Sequence, residues 1–204
     1  MGLYDNHVLP HLINLSMRNR LLLPYRQRVI SQAAGRVLEV GIGSALNLPY
    51  YGPEVTELLG LEPAARLMQM AERSASQSQR RVTFIAGSAE AIPLDDASVD
   101  TVVTTWTLCS IPDAISALHQ MRRVLRPGGQ LLFVEHGRAP DERVVKWQDR
   151  LTPFWKRMGG GCHLNRPIAT LVESAGFTIA DLKTGYMKGP KPMTFMYEGR
   201  AQRI

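Results

Sequence analysis

The stretch Arg36–Tyr51, RVLEVGIGSALNLPYY, restricts this chain more than any other part of it. Val37, Leu38 and Val40 make a short apolar strand that carries one acid, Glu39, and breaks at Gly41-Ile42-Gly43. Ser44 and Asn47 stand where a helix is expected to begin. An apolar strand, a glycine turn and a helix start form the nucleotide-binding corner of an open α/β sheet. Glycine lets the backbone turn sharply and approach a ligand, and the free N–H groups of a following helix favour an anion.

The flanking sequence continues the sheet. Val55 to Leu61 is predicted as the second strand, Ala64 to Ser74 as a helix and Arg81 to Ala86 as the third strand. Val99 to Thr104 follows as the fourth, then a helix from Asp113, a good cap residue, to about Arg126. Pro127-Gly128-Gly129 ends that helix and Gln130 to Glu135 makes the fifth strand. Four strand–helix alternations with near-continuous apolar strands predict a parallel sheet covered on both faces. The rhythm fails from Gly137 to Asn165, where Trp147, Phe154, Trp155, three glycines and Cys162-His163 suggest an inserted helix and loop with a functional role. A helix from Arg166 to Ala175 and strands at Phe177–Leu182 and Phe195–Arg200 complete the reading. The expected organisation is one domain over 1–204: a helical lid or cap (1–35), a cofactor-binding core (36–136), a substrate-cap insertion (137–165) and a C-terminal helix with a strand pair (166–204).

With 204 residues and 45% hydrophobic content, the chain can bury one sizeable core. No apolar run is long enough to span a bilayer, and MGLYDNHVLPHL does not read as a signal peptide. Cys109 and Cys162 are far apart, without metal-type spacing and without a neighbouring pattern that marks a nucleophile, so no metal is expected. The expected setting is reducing and cytoplasmic. The net charge of +6 is spread along the chain, with no aromatic-interleaved basic run of the nucleic-acid-binding kind. The N-terminal segment reads as helices packed on the sheet edge, as a lid, or as an apolar and basic face in peripheral contact with a membrane. The sequence assigns no oligomeric state.

A dinucleotide fingerprint needs glycine or alanine at its sixth position; counted from Gly41, that position is Leu46. A ligand with a ribose and no pyrophosphate fits better, with Glu62 at the end of the second strand placed to bridge two ribose hydroxyls. The ordered series Glu39–Ala45 (E-x-G-x-G-S-A), Leu61-Glu62-Pro63, Ala86–Leu94 (AGSAEAIPL), Asp95–Asp100 (DDASVD) and Arg122–Gly129 (RRVLRPGG) resembles the class I S-adenosylmethionine-dependent methyltransferases over about residues 36 to 136. The resemblance implies a seven-stranded Rossmann-like sheet, mostly parallel with an antiparallel last strand and helices on both faces. It implies S-adenosyl-L-methionine as cofactor and S-adenosyl-L-homocysteine as product. By position, Gly41 and Gly43 would pass under the methionine part, Glu39 would face its amino end, and Asn47 would reach its carboxylate. Glu62 would hold the ribose diol, Ser88 and Ala89 would border the adenine, and Thr105 would lie near the sulfonium. Two residues depart from the family pattern. Ala45 replaces the third glycine, a mild change if it keeps negative φ; Ser88 stands where an adenine-binding Asp is usual, and Glu90 could compensate. Asp100 reads as structural, and Arg122 with Arg123 as a solvated helix face.

Outside the cofactor motifs, Thr107–Pro112 (TLCSIP), Phe133–His136 (FVEH), Trp147 with Phe154-Trp155, Gly161–Arg166 (GCHLNR) and the tail E-G-R-A are similar to the thiol S-methyltransferase branch. That likeness implies a thiol among the candidate acceptors, and the aromatic segment from Trp147 to His163 is expected to cap the pocket and favour a small, apolar or aromatic acceptor. Methyl transfer needs alignment and exclusion of water, and a base only if the nucleophile arrives protonated. His136 is the first candidate for that base and His163 the second. Competing expectations are methylation of a quinone carbon, a phospholipid amine or a natural-product hydroxyl, and a non-catalytic cofactor-binding module. Nucleic-acid methylation is disfavoured because the Asn/Asp-Pro-Pro-aromatic motif is absent.

Overall fold

A computed structural model describes residues 4–78 and 80–203; Met1–Leu3, with which the reading of the N-terminus begins, lie outside the described residues. Seven strands form one sheet: β1 (Gly35–Val40), β2 (Val55–Glu62), β3 (Thr83–Ala86), β4 (Val99–Thr105), β5 (Leu125–His136), β6 (Phe177–Tyr186) and β7 (Phe195–Arg203). Their order is β3-β2-β1-β4-β5-β7-β6. The pairs from β3 to β5 are parallel, and β7 runs antiparallel between β5 and β6.

The longer helices are α1 (Leu9–Met17), α2 (Leu23–Ile30), α3 (Ala65–Ser78), α4 (Ala114–Val124), α5 (Glu142–Met158) and α6 (Ile168–Ser174), and a single turn, α7 (Lys191–Thr194), precedes β7. Strand side chains alternate between the two faces. Val37, Leu58, Val103 and Leu132 pack with Val29 and Ile30 of α2 and Ala71 and Ala75 of α3. Leu38, Leu59, Val102 and Leu131 pack with Leu118 and Met121 of α4 and Val172 of α6. Both faces are thus covered, as near-continuous apolar strands require. Among the described residues, no helix is long and apolar enough to cross a membrane.

Local chemistry fixes the element ends. Asp113 caps α4, its Oδ1 accepting from Ser116 N at 3.0 Å. Asp100 is structural as expected: it accepts from Arg36 N at 2.8 Å and from Arg126 Nη1 at 2.5 Å. The tail motif E-G-R-A is structural too. Glu198 receives a two-pronged bond from Arg28 at 2.8 and 2.6 Å, and a Cβ on Gly199 would lie 2.5 Å from the Phe133 ring.

Three expectations are corrected. No α-helix follows the glycine corner; Leu48–Tyr50 forms a single 3-10 turn, because Gly52-Pro53 closes the segment immediately and β2 begins at Val55. Hence the segment directly after the corner offers no α-helix N-terminus. Ala45 has φ +61°, the left-handed region that glycine enters freely and alanine at a cost of about 1–2 kcal/mol. Arg123 is not merely solvated: it donates to the carbonyls of Leu94 (2.8 Å) and Ile92 (2.7 Å) and pairs with Asp96, while Arg122 Nε donates to Gly176 O at 3.0 Å.

Candidate active site

The carboxyl ends of β1, β2, β4 and β5 open into one cavity of about 720 Å³, where ligands of such sheets collect. Of the residues named from sequence, Glu39, Gly41, Gly43, Glu62, Ser88, Ala89, Thr105 and His136 line it. Asn47 and His163 do not.

At the β1 end, Glu39 is buried, accepting from Asn47 Nδ2 and from Tyr51 Oη, both at 2.7 Å. Asn47 also donates to Thr105 Oγ1 at 3.0 Å, and its Oδ1 accepts from Arg26. Both side-chain polar atoms of Asn47 therefore have partners, and through them it bridges Glu39, Thr105 and Arg26. Arg26, which sequence reasoning missed, comes from α2. It is 3% exposed, stacks on Trp106 at 4.7 Å and donates to Met17 O at 3.1 Å. Its Nε has no hydrogen-bond partner although it is buried. The signal was its spacing: Leu22, Arg26, Val29 and Ile30 share one helical stripe, so Arg26 is the lone charge on an apolar face.

Burial pushes the Glu39 carboxyl up to about 7, against the bonds from Tyr51 and Asn47 and the charge of Arg26, which pull it down. The sign has two consequences. The ligand-free fold is favoured by neutral Glu39, so this group's contribution to stability fades as pH rises from about 4.5 through about 7. An ammonium ligand needs the ionised form, so its binding tightens over the same rise. If Glu39 faces the amino end of S-adenosylmethionine, calorimetric affinity is expected to increase about tenfold between about pH 6 and about pH 8. A flat profile would remove Glu39 from that role.

At the corner, Gly41 and Gly43 have φ of +70° and +58°. A Cβ on Gly41 would lie 2.4 Å from Thr107, whereas one on Gly43 would meet nothing nearer than 3.9 Å and would occupy room left for a ligand. Gly43 N donates to Glu62 Oε2 at 2.9 Å and Ala64 N to Glu62 Oε1 at 3.0 Å. Each oxygen of Glu62 retains a further lone pair for a ribose hydroxyl. Burial holds its pKa above the ordinary carboxylate value. Ser88 and Ala89 border the next part of the cavity. Glu90 does not line the cavity: it takes the Ser88 hydroxyl at 2.9 Å and Asp113 N at 2.8 Å, tying the β3 end to α4.

The far end is built by residues distant in sequence. Glu135, wholly buried on β5, accepts from the backbone N–H groups of Thr107 (2.9 Å), Leu108 (3.0 Å) and Cys109 (3.4 Å). The loop 107–112 is thereby fixed from below. From above, Arg166 donates to Leu108 O and to Pro112 O, the latter at 3.2 Å, and His163 directs its backbone N (2.8 Å) and Nδ1 (3.1 Å) to Cys109 O. TLCSIP and GCHLNR are thus two halves of one clamp. His163 belongs to that clamp and does not line the cavity; burial and then Arg166 hold its pKa below the ordinary value. Within the clamp, Cys109 and Cys162 converge with His136, whose Nε2 lies 3.3 Å from Cys162 Sγ.

α5 and α1 roof the cavity. Of the three aromatics on α5, Trp155 lines it, while Trp147 and Phe154 are 55% and 69% exposed. Trp147 and Phe154, seven apart, share a face that a helix turns away from Trp155. α1 meets the glycine run, since a Cβ on Gly160 would lie 3.3 Å from Leu9 and 3.6 Å from Ile13. Leu9, Ile13 and Met17 line the cavity, whereas Leu12 and Leu15 face outward. α5 itself is stitched down by buried Gln148, which accepts from Ala139 N at 3.0 Å and donates to the carbonyls of Gly137 and Leu164, each at 2.9 Å.

A buried acid beside a guanidinium with one unpartnered N–H, a glycine shelf and a carboxylate with free lone pairs, in one cavity, fit a ligand with an amino-acid end and a ribose. Residues 38–133 match the methyltransferase domain family. The chain belongs to the S-adenosylmethionine-dependent methyltransferases, whose cofactor is S-adenosylmethionine. More particularly, it is 32% identical over 195 residues to thiol S-methyltransferase TMT1B of Homo sapiens, covering 89% of this chain and 77% of the human protein. It is 33% identical over 151 residues to the protein of the same name in Rattus norvegicus, covering 72% of this chain and 62% of the rat protein's length. In fold it resembles the solved S-adenosylmethionine-dependent methyltransferases of Mesorhizobium loti (TM-score 0.69, 14% identity, covering 92% of this chain and 100% of that one) and Methanosarcina mazei (TM-score 0.69, 19% identity, covering 89% and 97%).

Proposed function

We propose that the chain transfers a methyl group from S-adenosylmethionine to a small apolar or aromatic acceptor, a thiol first among the candidates. The observation that carries this reading is the cavity's polarity: charged and hydrogen-bonding groups at the β1 and β2 ends, and Leu9, Ile13, Trp155, Met187 and Met193 with the Cys–His cluster toward the roof. Arg26 and Glu39 would hold the carboxylate and ammonium of the methionine part, Glu62 the ribose hydroxyls, and Ser88 with Ala89 the adenine edge.

When bound, the cofactor supplies an electrophilic methyl on a cationic sulfur that leaves as a neutral thioether. The chain's own task is alignment and dryness. Thr105, fixed by Asn47, stands between the two ends of the cavity. The roof of α1 and Trp155 keeps water away. His136 is the cavity imidazole able to take a proton from an acceptor that arrives protonated; burial opposes its charge, and Cys109 and Glu135 more than offset that and raise its pKa. A free thiol with a pKa of about 8.5 is already a few per cent ionised at neutral pH, so such an acceptor makes the smallest demand on a base.

An activity screen over thiols, phenols, amines and quinols, read by product mass, tests the reading. The expected product is a methyl thioether, with S-adenosylhomocysteine formed in equal amount. Methylation of carbon or oxygen alone would overturn the thiol assignment, and no S-adenosylhomocysteine with any acceptor would favour a binding module.

A further inference from the structure

The clamp around the cavity roof brings together three side chains that proton transfer does not explain. Cys109 on the 107–112 loop, His136 at the end of β5 and Cys162 after the glycine run are all buried, at 2%, 9% and 9% exposure, and all line the cavity. One ligand atom from each lies within 4.8 Å of the other two, and the imidazole Nε2 to Cys162 Sγ distance is 3.3 Å. We propose that Cys109, His136 and Cys162 form a three-ligand zinc site whose fourth position opens to the cavity and takes the sulfur of the acceptor.

Four arguments carry it. The first is distance. Zinc bonds of about 2.3 Å to sulfur and about 2.0–2.1 Å to nitrogen, at tetrahedral angles, imply donor separations of about 3.6 Å (S to N) and about 3.8 Å (S to S). The cluster meets these within side-chain adjustments of about 1 Å. The second is donor chemistry. Two thiolates and an imidazole select zinc or another soft cation over magnesium or calcium, and Glu135, the nearest carboxylate on β5, is committed to backbone N–H groups. The third is charge. Two thiolates balance a divalent ion, so the loaded site is neutral and burial opposes it little.

The fourth is rigidity. Cys109 is held through its own N by Glu135 and through its carbonyl by His163. Gly161, at φ +84°, delivers Cys162 from the other side. Glu135, His163 and Arg166 tie the segment that carries Cys109 to the one that carries Cys162, which keeps the two sulfurs at a fixed separation. Three protein ligands with an open fourth position define a catalytic rather than a structural zinc site.

The site rests on the thiol reading and gives His136 the task of ligand in place of base. A thiol entering the fourth position loses its proton to solvent, because a coordinating thiol is deprotonated outright. Its sulfur pair then forms the new S–CH3 bond while the methyl–sulfonium bond breaks onto the cofactor sulfur. The products are two neutral thioethers, and the acceptor's proton is released to water. Thioether is a weak zinc ligand, so product release follows without a further reactant.

The experiment uses the whole chain, reduced with a phosphine, and titrates it with cobalt(II) as a spectroscopic zinc surrogate, followed by competition with zinc. The expected result is one ion per chain, a thiolate-to-cobalt charge-transfer band and tetrahedral d–d bands. Cys109→Ser and Cys162→Ser, checked for folding by circular dichroism, are each expected to weaken binding at least about 100-fold. Adding benzenethiol should then shift the d–d bands. No stoichiometric ion in the wild type, or equal binding by the Cys109→Ser/Cys162→Ser double variant, overturns the site. Bound cobalt that is blind to thiols while methyl thioether is still formed overturns its acceptor role and leaves the thiol reading standing. A thiol-responsive site in a chain that methylates only carbon or oxygen overturns the thiol reading and leaves the metal site standing.

Discussion

Replacing Arg26 by Met is expected to weaken S-adenosylmethionine binding about 100-fold, the range for truncating one partner of a buried charge pair. Arg26 keeps its hydrogen bonds to Asn47 and Met17 but has a buried Nε without a partner. Such a donor costs about 1–3 kcal/mol if nothing meets it, and a ligand carboxylate at the amino-acid end of the cavity would supply the acceptor. The substitution also removes the positive charge beside Glu39, so the Glu39 pKa should climb above its value of about 7. The pH at which the cofactor binds should move upward with it, which a steric defect would not produce. Calorimetric titration of the folded variant across pH measures both effects. Affinity within threefold of wild type, with an unmoved profile, would assign Arg26 to the fold alone.

Gly41→Ala is expected to be the most damaging small substitution in the corner. The new methyl would sit 2.4 Å from both Oγ1 and Cγ2 of Thr107 at a residue with φ +70°. Thr107 cannot retreat freely, because Glu135 holds its N–H and its hydroxyl is bonded to Thr105 O at 3.1 Å. Adding left-handed strain of about 1–2 kcal/mol to overpacking of about 1–3 kcal/mol gives a loss near 2–5 kcal/mol, with cofactor binding lost in parallel. Gly43→Ala has open space around its methyl and should cost only the strain. Urea denaturation ranks the pair, and Thr107→Ala in the Gly41→Ala background should recover part of the loss. Equal stability of the two glycine variants, or no recovery, would refute the close-contact account.

The sheet was legible because strands buried on both faces must be apolar throughout, so β1, β2, β4 and β5 announce themselves. The cavity wall at the β1 and β2 ends was legible because its residues are local: Glu39, Gly41, Gly43 and Glu62 lie at or just past strand ends and line the cavity. What the sequence hid was assembled across distance or decided by backbone torsion. The family's glycine at the place of Ala45 was the one hint of its positive φ, and the missing helix after the corner depends on how soon Gly52-Pro53 turns the chain back. The roof of the cavity is the larger lesson. Cys109 and Cys162 look like unrelated pocket linings until His163 and Arg166 are seen to bind the loop that carries Cys109. Each motif was visible; that they are one object was not.

The antiparallel placement of β7 has a further consequence. Because β7 runs back between β5 and β6, with Met196 opposite His136 and Phe195 opposite Tyr186, the loop joining β6 to β7 returns to the same rim as the ends of the parallel strands. Met187, Lys188, Gly189, Pro190 and Met193 there become a wall of the cavity. Under the proposed function, the first half of the chain handles the methyl donor and the last segment supplies part of the acceptor wall. A lineage built on this plan can change what it methylates by rewriting its tail, while the donor-binding half stays as it was.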